Sequence, residues 1–199
     1  MSIETSEGIM NEPKWKIGFV VEGDIDKAVV EEIAQRMLSL RLNSTSFKAY
    51  AVRLGGRLAL RRAYSSVLAL LDESEYDHVI VVLDADSARD DDVERTTRQY
   101  EDMMRAHQLT SSEVSVCLAV PTIEAWLLPD MFVKPEEVAD PKYELLTQLG
   151  VPRLHADKAR MLASKVDIDK LRRRSPSFDK FAQALEQVAD KLMQPASAA

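Results

Sequence analysis

A single cysteine, Cys117, stands in 199 residues. No internal disulfide can staple such a chain, and a reducing, cytoplasmic setting is expected. Histidine is nearly as scarce, and His78, His107 and His155 match none of the ligand spacings of zinc sites. No apolar run approaches the roughly 20 residues that cross a bilayer. The acidic, polar stretch from Met1 to Pro13 lacks the charged-then-apolar order of an export signal, so no membrane is expected as a partner. Excess positive charge is missing too: 26 Lys and Arg against 33 Asp and Glu leave a net charge of −7. That excludes non-specific coating of nucleic acid, which needs clustered cations. It does not exclude a nucleic-acid enzyme, because a carboxylate metal site is itself negative until a cation offsets it. There is no internal repeat and no low-complexity linker, and the length suits one domain with a sizeable core.

What is present is an alternation of apolar runs and amphipathic stretches. Residues 16–23 form a short apolar run that ends in Glu22-Gly23, the pattern of a buried strand delivered into a turn. Over 26–40, Ala28, Val29, Ile33, Met37 and Leu40 recur at helical spacing, with Asp24 or Asp26 as candidate N-cap. A second strand is expected over 47–54, closed by Gly55-Gly56, and a second helix over 57–71. His78-Val79-Ile80-Val81-Val82-Leu83-Asp84-Ala85-Asp86 is the clearest strand, apolar enough to be buried on both faces. A charged helix over 89–107 and a fourth strand over 114–120 follow. Strand and helix alternate throughout, which calls for a mostly parallel four-stranded sheet with right-handed crossovers. After Pro121 a short helix is expected at 123–128, then a proline-punctuated, loop-rich stretch, then helices at 156–166 and 178–193. The expected organisation is an α/β domain over 14–130, with a helical C-terminal extension over 131–194 packed on it.

Ligands of open parallel sheets collect at the carboxyl ends of the strands, beside a topological switch point. Glu22 ends the first strand, and Asp84 and Asp86 end the third. If those strands are neighbours, three carboxylates meet at one sheet edge. In an extended chain Asp84 and Asp86 face the same way and Ala85 the other. Converged carboxylates raise one another's pKa, and a hard divalent cation, Mg²⁺ or Mn²⁺, relieves the conflict. Each acid taken alone is equally suited to capping a helix or solvating a loop. Glycosyltransferases, haloacid-dehalogenase phosphatases and Toprim domains all use an Asp-x-Asp pair at a strand end.

The order of the motifs narrows that choice. Val20-Val21-Glu22-Gly23 followed by Leu83-Asp84-Ala85-Asp86 resembles the Toprim pattern of a glutamate-glycine after strand one and an Asp-x-Asp after strand three. A haloacid dehalogenase would carry its Asp-x-Asp on the first strand. Val120-Pro121-Thr122-Ile123-Glu124-Ala125-Trp126-Leu127-Leu128-Pro129-Asp130, Lys158 and Ser175-Pro176-Ser177-Phe178 extend the likeness. They resemble the DUF4276 family of small bacterial Toprim-like proteins, related to OLD-type (overcoming lysogenisation defect) nucleases. The resemblance covers about residues 16–185. It implies a Toprim-like, Rossmann-like fold and metal ligation by Asp84 and Asp86. It also implies a general acid or base role for Glu22. Glu124 would complete a second metal site, and Lys158 would stabilise transition-state charge.

Two basic groups are candidates for a phosphate backbone. Arg53, Arg57, Arg61 and Arg62 flank Gly55-Gly56, where a backbone and a helix N-terminus can approach a phosphate. Arg172-Arg173-Arg174 forms the second group, or else a solvated helix end favourable to the dipole. The tyrosines lie in no recognisable DNA-gate module and a primase zinc ribbon is missing, so strand passage and primer synthesis are not expected. The leading expectation is a Mg²⁺- or Mn²⁺-dependent nuclease acting on DNA or RNA, with a role in a bacterial defence system. The alternatives are a non-catalytic Toprim-like partner of an ATPase, a toxin or another defence-system protein, and a small-molecule phosphatase or nucleotidyl transferase.

Overall fold

A computed structural model describes residues 15–42, 47–53, 76–106, 114–128 and 132–194. The helix expected at 57–71, with Gly55-Gly56, Arg57, Arg61 and Arg62, lies outside the described residues, as does Asp130. The strands are β1 (Trp15–Val21), β2 (Phe47–Arg53), β3 (His78–Asp84) and β4 (Val114–Ala119), in spatial order β2-β1-β3-β4. Every pairing is parallel. The chain moves from β1 to one side for β2, then passes β1 again to lay down β3 and β4 on the other. The direction of progress therefore reverses between β1 and β3, which is the switch point of an open α/β sheet. The architecture, a parallel sheet flanked by helices, is compatible with a Rossmann-like fold.

Side-chain alternation along the strands divides the core into two layers. Ile17, Phe19 and Val21 of β1, Ile80 and Val82 of β3, and Cys117 and Ala119 of β4 face one layer. Val20, then Val79, Val81 and Leu83, then Val114 and Leu118 face the other. From His78 to Leu83 every residue of β3 is buried, as its unbroken β-branched run implies. Helix α1 (Asp24–Ser39) covers the first layer with Ala28, Val29, Ile33 and Met37. Helix α2 (Asp90–Ala106) covers the second with Tyr100 and Met104. Opposite faces for α1 and α2 follow from right-handed crossovers that run in opposite directions.

Among the described residues four α-helices follow β4, where the sequence leads to the expectation of a short helix at 123–128 and two more at 156–166 and 178–193. They are α3 (Pro141–Leu149), α4 (Ala156–Ala163), α5 (Ile168–Arg174) and α6 (Pro176–Met193). Helix α3 falls in the stretch expected to be loop. Its Pro141 occupies the first helical position, where a missing N–H costs nothing. Asp140 caps it by accepting the Tyr143 N–H at 2.8 Å, and Gly150 closes it at φ 62, a left-handed position that glycine adopts without strain. Asp167 caps α5 through the Lys170 N–H, and Ser175 caps α6 through the Phe178 N–H. The cap of α6 is thus Ser175.

The C-terminal helices bury Leu145, Ala159, Leu171, Phe178, Phe181 and Leu185 in the same layer as β1 and α1. Phe181 meets Phe19 edge-on, with ring centroids 6.4 Å apart, and stacks on Trp126 at 5.3 Å. No helix among the described residues is long and apolar enough to cross a membrane.

Candidate functional site

β1 ends at Val21 and β3 at Asp84, and the two strands are hydrogen-bonded neighbours. Their carboxyl ends therefore bring Glu22 and Asp84 together. The Asp84 N–H donates to Glu22 Oε1 at 3.2 Å. Asp84 Oδ1 in turn accepts the Ile123 N–H at 2.8 Å. Ile123 opens a 3-10 turn, Ile123–Leu127, that follows the cis Val120–Pro121 bond. A short α-helix is expected there from the sequence, and the tighter turn is what the structure contains. All five of its residues are buried, Glu124 among them at 7 % exposure.

Two contacts pin this turn. The Trp126 indole Nε1–H donates to Ser177 Oγ at 3.0 Å, and the Val120 N–H reaches the same oxygen at 3.3 Å. Trp126 also packs edge-on against Phe178, with centroids 5.3 Å apart. Ser177-Phe178, a sequence feature with no evident partner in the chain, thus holds the Glu124 turn from behind. Glu136 Oε1 accepts the Ser177 N–H at 2.7 Å and so fixes the serine in turn.

A fourth acid joins the group. Asp26 lies in the first turn of α1, and its Oδ2 accepts the Gly23 N–H at 2.8 Å. The N-cap itself is Gly23, not Asp24 or Asp26. Burial pushes the Asp26 carboxyl up to about 6 from an ordinary 3.8; the Gly23 amide opposes the rise, and the charges of Glu124 and Glu22 add to it. Asp84 is pushed further, to about 8, by burial first and then by Asp26, Glu124 and Glu22, against the pull of the Ile123 amide. Glu22, Asp26, Asp84 and Glu124 therefore share one electrostatic environment at the switch point, in which like charges oppose full ionisation. Asp26 is the residue sequence reasoning missed. Its signal is the spacing from Glu22, four positions later and one helical turn into α1.

The other candidates are placed differently. Asp86 follows the end of β3, is exposed and has φ 54, a left-handed conformation that aspartate tolerates. Its N–H donates to the Pro121 carbonyl at 2.8 Å. The expected extended Asp84-Ala85-Asp86 with both acids facing one way is not formed, because the strand stops at Asp84. Arg53 ends β2 and pairs in register with Val21, so its backbone stands at the same sheet edge. Lys158 is exposed in the first turn of α4 and is not among the residues lining the cleft beside Glu124.

Two of the three arginines at 172–174 are engaged inside the protein, and Arg173 is exposed. Arg172 bonds Asp179 and Glu186, each at 2.7 Å. Arg174 donates to the Leu128 carbonyl at 2.8 Å and to that of Phe132 at 3.1 Å. Those two side chains secure the C-terminal helices instead of meeting a phosphate.

Among the described residues, no three His, Cys, Asp or Glu side chains stand grouped as a ready metal-ligand set. The donor chemistry of the four acids is nonetheless all oxygen, which suits hard cations such as Mg²⁺ or Mn²⁺ and not zinc. Glu124 makes no hydrogen bond or ion pair with any described residue, and it lines a cleft that leaves its carboxylate open to a ligand. Comparison with protein-family models, with curated proteins and with solved structures returns no match.

Proposed function

We propose that the chain is a divalent-metal-dependent nuclease with a Toprim-like carboxylate site. The observation that carries this reading is the buried Glu124, without a partner among the described residues, beside two further acids whose pKa values are raised. Four carboxylates in one desolvated environment disfavour the metal-free, fully ionised protein, and a divalent cation removes that penalty. The motif order Glu22-Gly23, then Asp84-Ala85-Asp86, and the adjacency of β1 and β3 support a Toprim assignment within the broader α/β class.

In this reading Asp84 and Glu124 would hold Mg²⁺ or Mn²⁺, with Glu22 beside them as the base and Asp86 at the exposed rim. When bound there, such a cation would supply positive charge where phosphoryl charge develops. Glu22, held by the Asp84 amide, takes a proton from the attacking water on its carboxylate as the new P–O bond forms. The bond to the departing sugar oxygen breaks in line with that attack, and that oxygen takes a proton from solvent. Asp26 stays bonded to the Gly23 amide and fixes the turn between β1 and α1. Arg53 and Lys158, with Arg57 and Arg61, receive the flanking backbone of a DNA or RNA strand. A role in bacterial defence, with an ATPase or other system protein as partner, accords with the OLD-type resemblance.

The test is incubation of purified protein with plasmid and with single-stranded DNA and RNA in Mn²⁺, in Mg²⁺ and in EDTA. Metal-dependent cleavage lost in Asp84→Asn and in Glu22→Gln is expected. Full activity in both variants, or no cleavage of any of the three, rejects the nuclease. One observation favours a second reading, a non-catalytic partner subunit: the acids are not grouped as a ready ligand set. Calorimetry that detects no Mn²⁺ binding would leave that reading standing. Turnover of phosphate monoesters without cleavage of polymers would point to a small-molecule phosphatase.

A further inference from the structure

Beside Glu124 the α3–α4 segment encloses a cleft of about 450 Å³, within the range of small-ligand sites. Glu124 and Asp24 line its acidic end. Lys142 of α3, with Arg153 and His155 from the loop before α4, lines the rest. All three are exposed, and none makes a side-chain hydrogen bond or ion pair with any described residue.

Nearby arginines behave differently. Arg160 pairs with Glu31 at 2.9 Å, Arg172 with Asp179 and Glu186, and Arg36 with the carbonyls of Ala163 and Val166. In a chain of net charge −7, the cations Lys142 and Arg153, left without such partners, supply the positive field of a concavity whose acids are Asp24 and Glu124. The N-terminus of α4 lies in the same wall and adds its dipole to that field. Ile25, Leu146 and Leu154 supply apolar lining.

We propose that this cleft is the strand-binding subsite of the protein. It receives the nucleotide next to the bond being cut, with its phosphate among Lys142, Arg153 and His155 and its base against Ile25, Leu146 and Leu154. The proposal rests on the nuclease reading and deepens it, because it places the substrate on the C-terminal helices and not only on the Arg53 side of the sheet edge. Glu124 connects the two regions. It belongs both to the acidic group and to the cleft, so a strand seated in the cleft runs directly to the carboxylates.

The experiment measures binding, separately from cleavage. An end-labelled short single-stranded DNA is titrated with the full chain by fluorescence anisotropy in Ca²⁺, over a range of KCl. Lys142→Glu/Arg153→Glu is compared with Arg98→Glu/Arg105→Glu, which makes the same charge change on exposed α2 positions. The cleft pair is expected to weaken binding at least about tenfold. Each neutralised phosphate of a single strand contributes about 0.7 to the salt slope, so removing two cations should lower it by about 1.4. The α2 pair should stay within about twofold of wild type. Lys142→Gln/Arg153→Gln, which removes the cations without reversing them, should show a smaller loss in the same direction and serves if the glutamate pair fails to fold. Binding by wild type that is equally weakened in both double variants, or unchanged in the cleft variants, overturns the proposal, as does absence of binding by wild type. Cleft-dependent binding without Mn²⁺-dependent cleavage would reject the hydrolytic reading alone and leave the subsite standing.

Discussion

The Asp84 main-chain N–H donates to Glu22 Oε1 at 3.2 Å, joining the last residue of β3 to the first residue beyond β1. The bond uses one oxygen of Glu22 as a structural acceptor while its charge acts on two other acids, Asp26 and Asp84. Structure and chemistry at this position are therefore separable. Glu22→Gln keeps an acceptor of the same shape, whereas Glu22→Ala leaves the Asp84 amide without that partner. The expected cost of the alanine is about 1–3 kcal/mol in urea unfolding, with the glutamine variant close to wild type. Both variants should lose metal-dependent cleavage. A glutamine variant as unstable as the alanine would show that the hydrogen bond contributes nothing.

Stability should depend on pH in a direction opposite to that of a typical acidic protein. Asp84 and Asp26 have folded-state values raised from 3.8 to about 8 and about 6. The fold thus holds protons that the unfolded chain has already released. Their contribution is fully present below about pH 4 and is lost as pH rises, through about 6 for Asp26 and about 8 for Asp84. In EDTA, the urea midpoint should fall across this window. Asp84→Asn should remove the fall between about 6 and 8 and halve it between about 4 and 6, whereas Asp26→Asn should halve it only between about 4 and 6. Saturating Mn²⁺ should remove the dependence, since a ligand that binds only the folded state stabilises it. Midpoints that climb steadily from about pH 4 to about pH 8 in EDTA would contradict the raised values.

Glu124 is expected to trade stability against metal affinity. The residue is largely buried beside Asp26 and Asp84, borders a cleft, and has no partner among the described residues. Glu124→Gln removes a charge that its neighbours oppose and adds an amide able to donate to them. Without metal, the variant should melt several degrees above wild type. With Mn²⁺, its thermal shift should be smaller than that of wild type by at least half. Differential scanning fluorimetry in EDTA and in Mn²⁺ reads both effects, and a variant destabilised in EDTA would sink the account.

How far the site is legible in the chain depends on whether each feature is local. Glu22 and Asp84 can be read because an apolar run stops at each of them, and an unbroken run such as β3 admits few other conformations. Asp86 misleads for a related reason. Alternation along a strand holds only while the strand lasts, and it ends at Asp84. Helix α3 is hidden because Pro141 resembles a breaker, when Asp140 before it and Gly150 after it make it the first helical position. Asp26 resembles a simple cap because its acidic surroundings come from a distant segment, Ile123–Leu127, which carries Glu124. The cleft residues Lys142, Arg153 and His155 carry no pattern at all. They come together only through the packing of α3 and α4.

The same long-range dependence makes Ser177 a sensitive position. One buried hydroxyl accepts from both the Trp126 indole and the Val120 amide, and these two residues bracket Glu124. Ser177→Ala leaves both donors buried without that partner, at a cost of about 1–3 kcal/mol for each unsatisfied group. Trp126→Ala would instead open a cavity among Phe178, Phe181 and Phe19, at about 3–5 kcal/mol. The two changes should differ in what they do to the site. Trp126→Phe retains most of the aromatic packing but drops the indole N–H. Like Ser177→Ala, it should loosen the Glu124 turn more than the core. In both milder variants the Mn²⁺-induced thermal shift should therefore shrink by more than the loss in stability alone explains. Ser164→Ala, an exposed serine on the far end of α4, should change neither quantity. If Ser177→Ala matches Ser164→Ala in both measurements, the turn carrying Glu124 is not held through Ser177, and the link between the C-terminal helix and the acidic site fails.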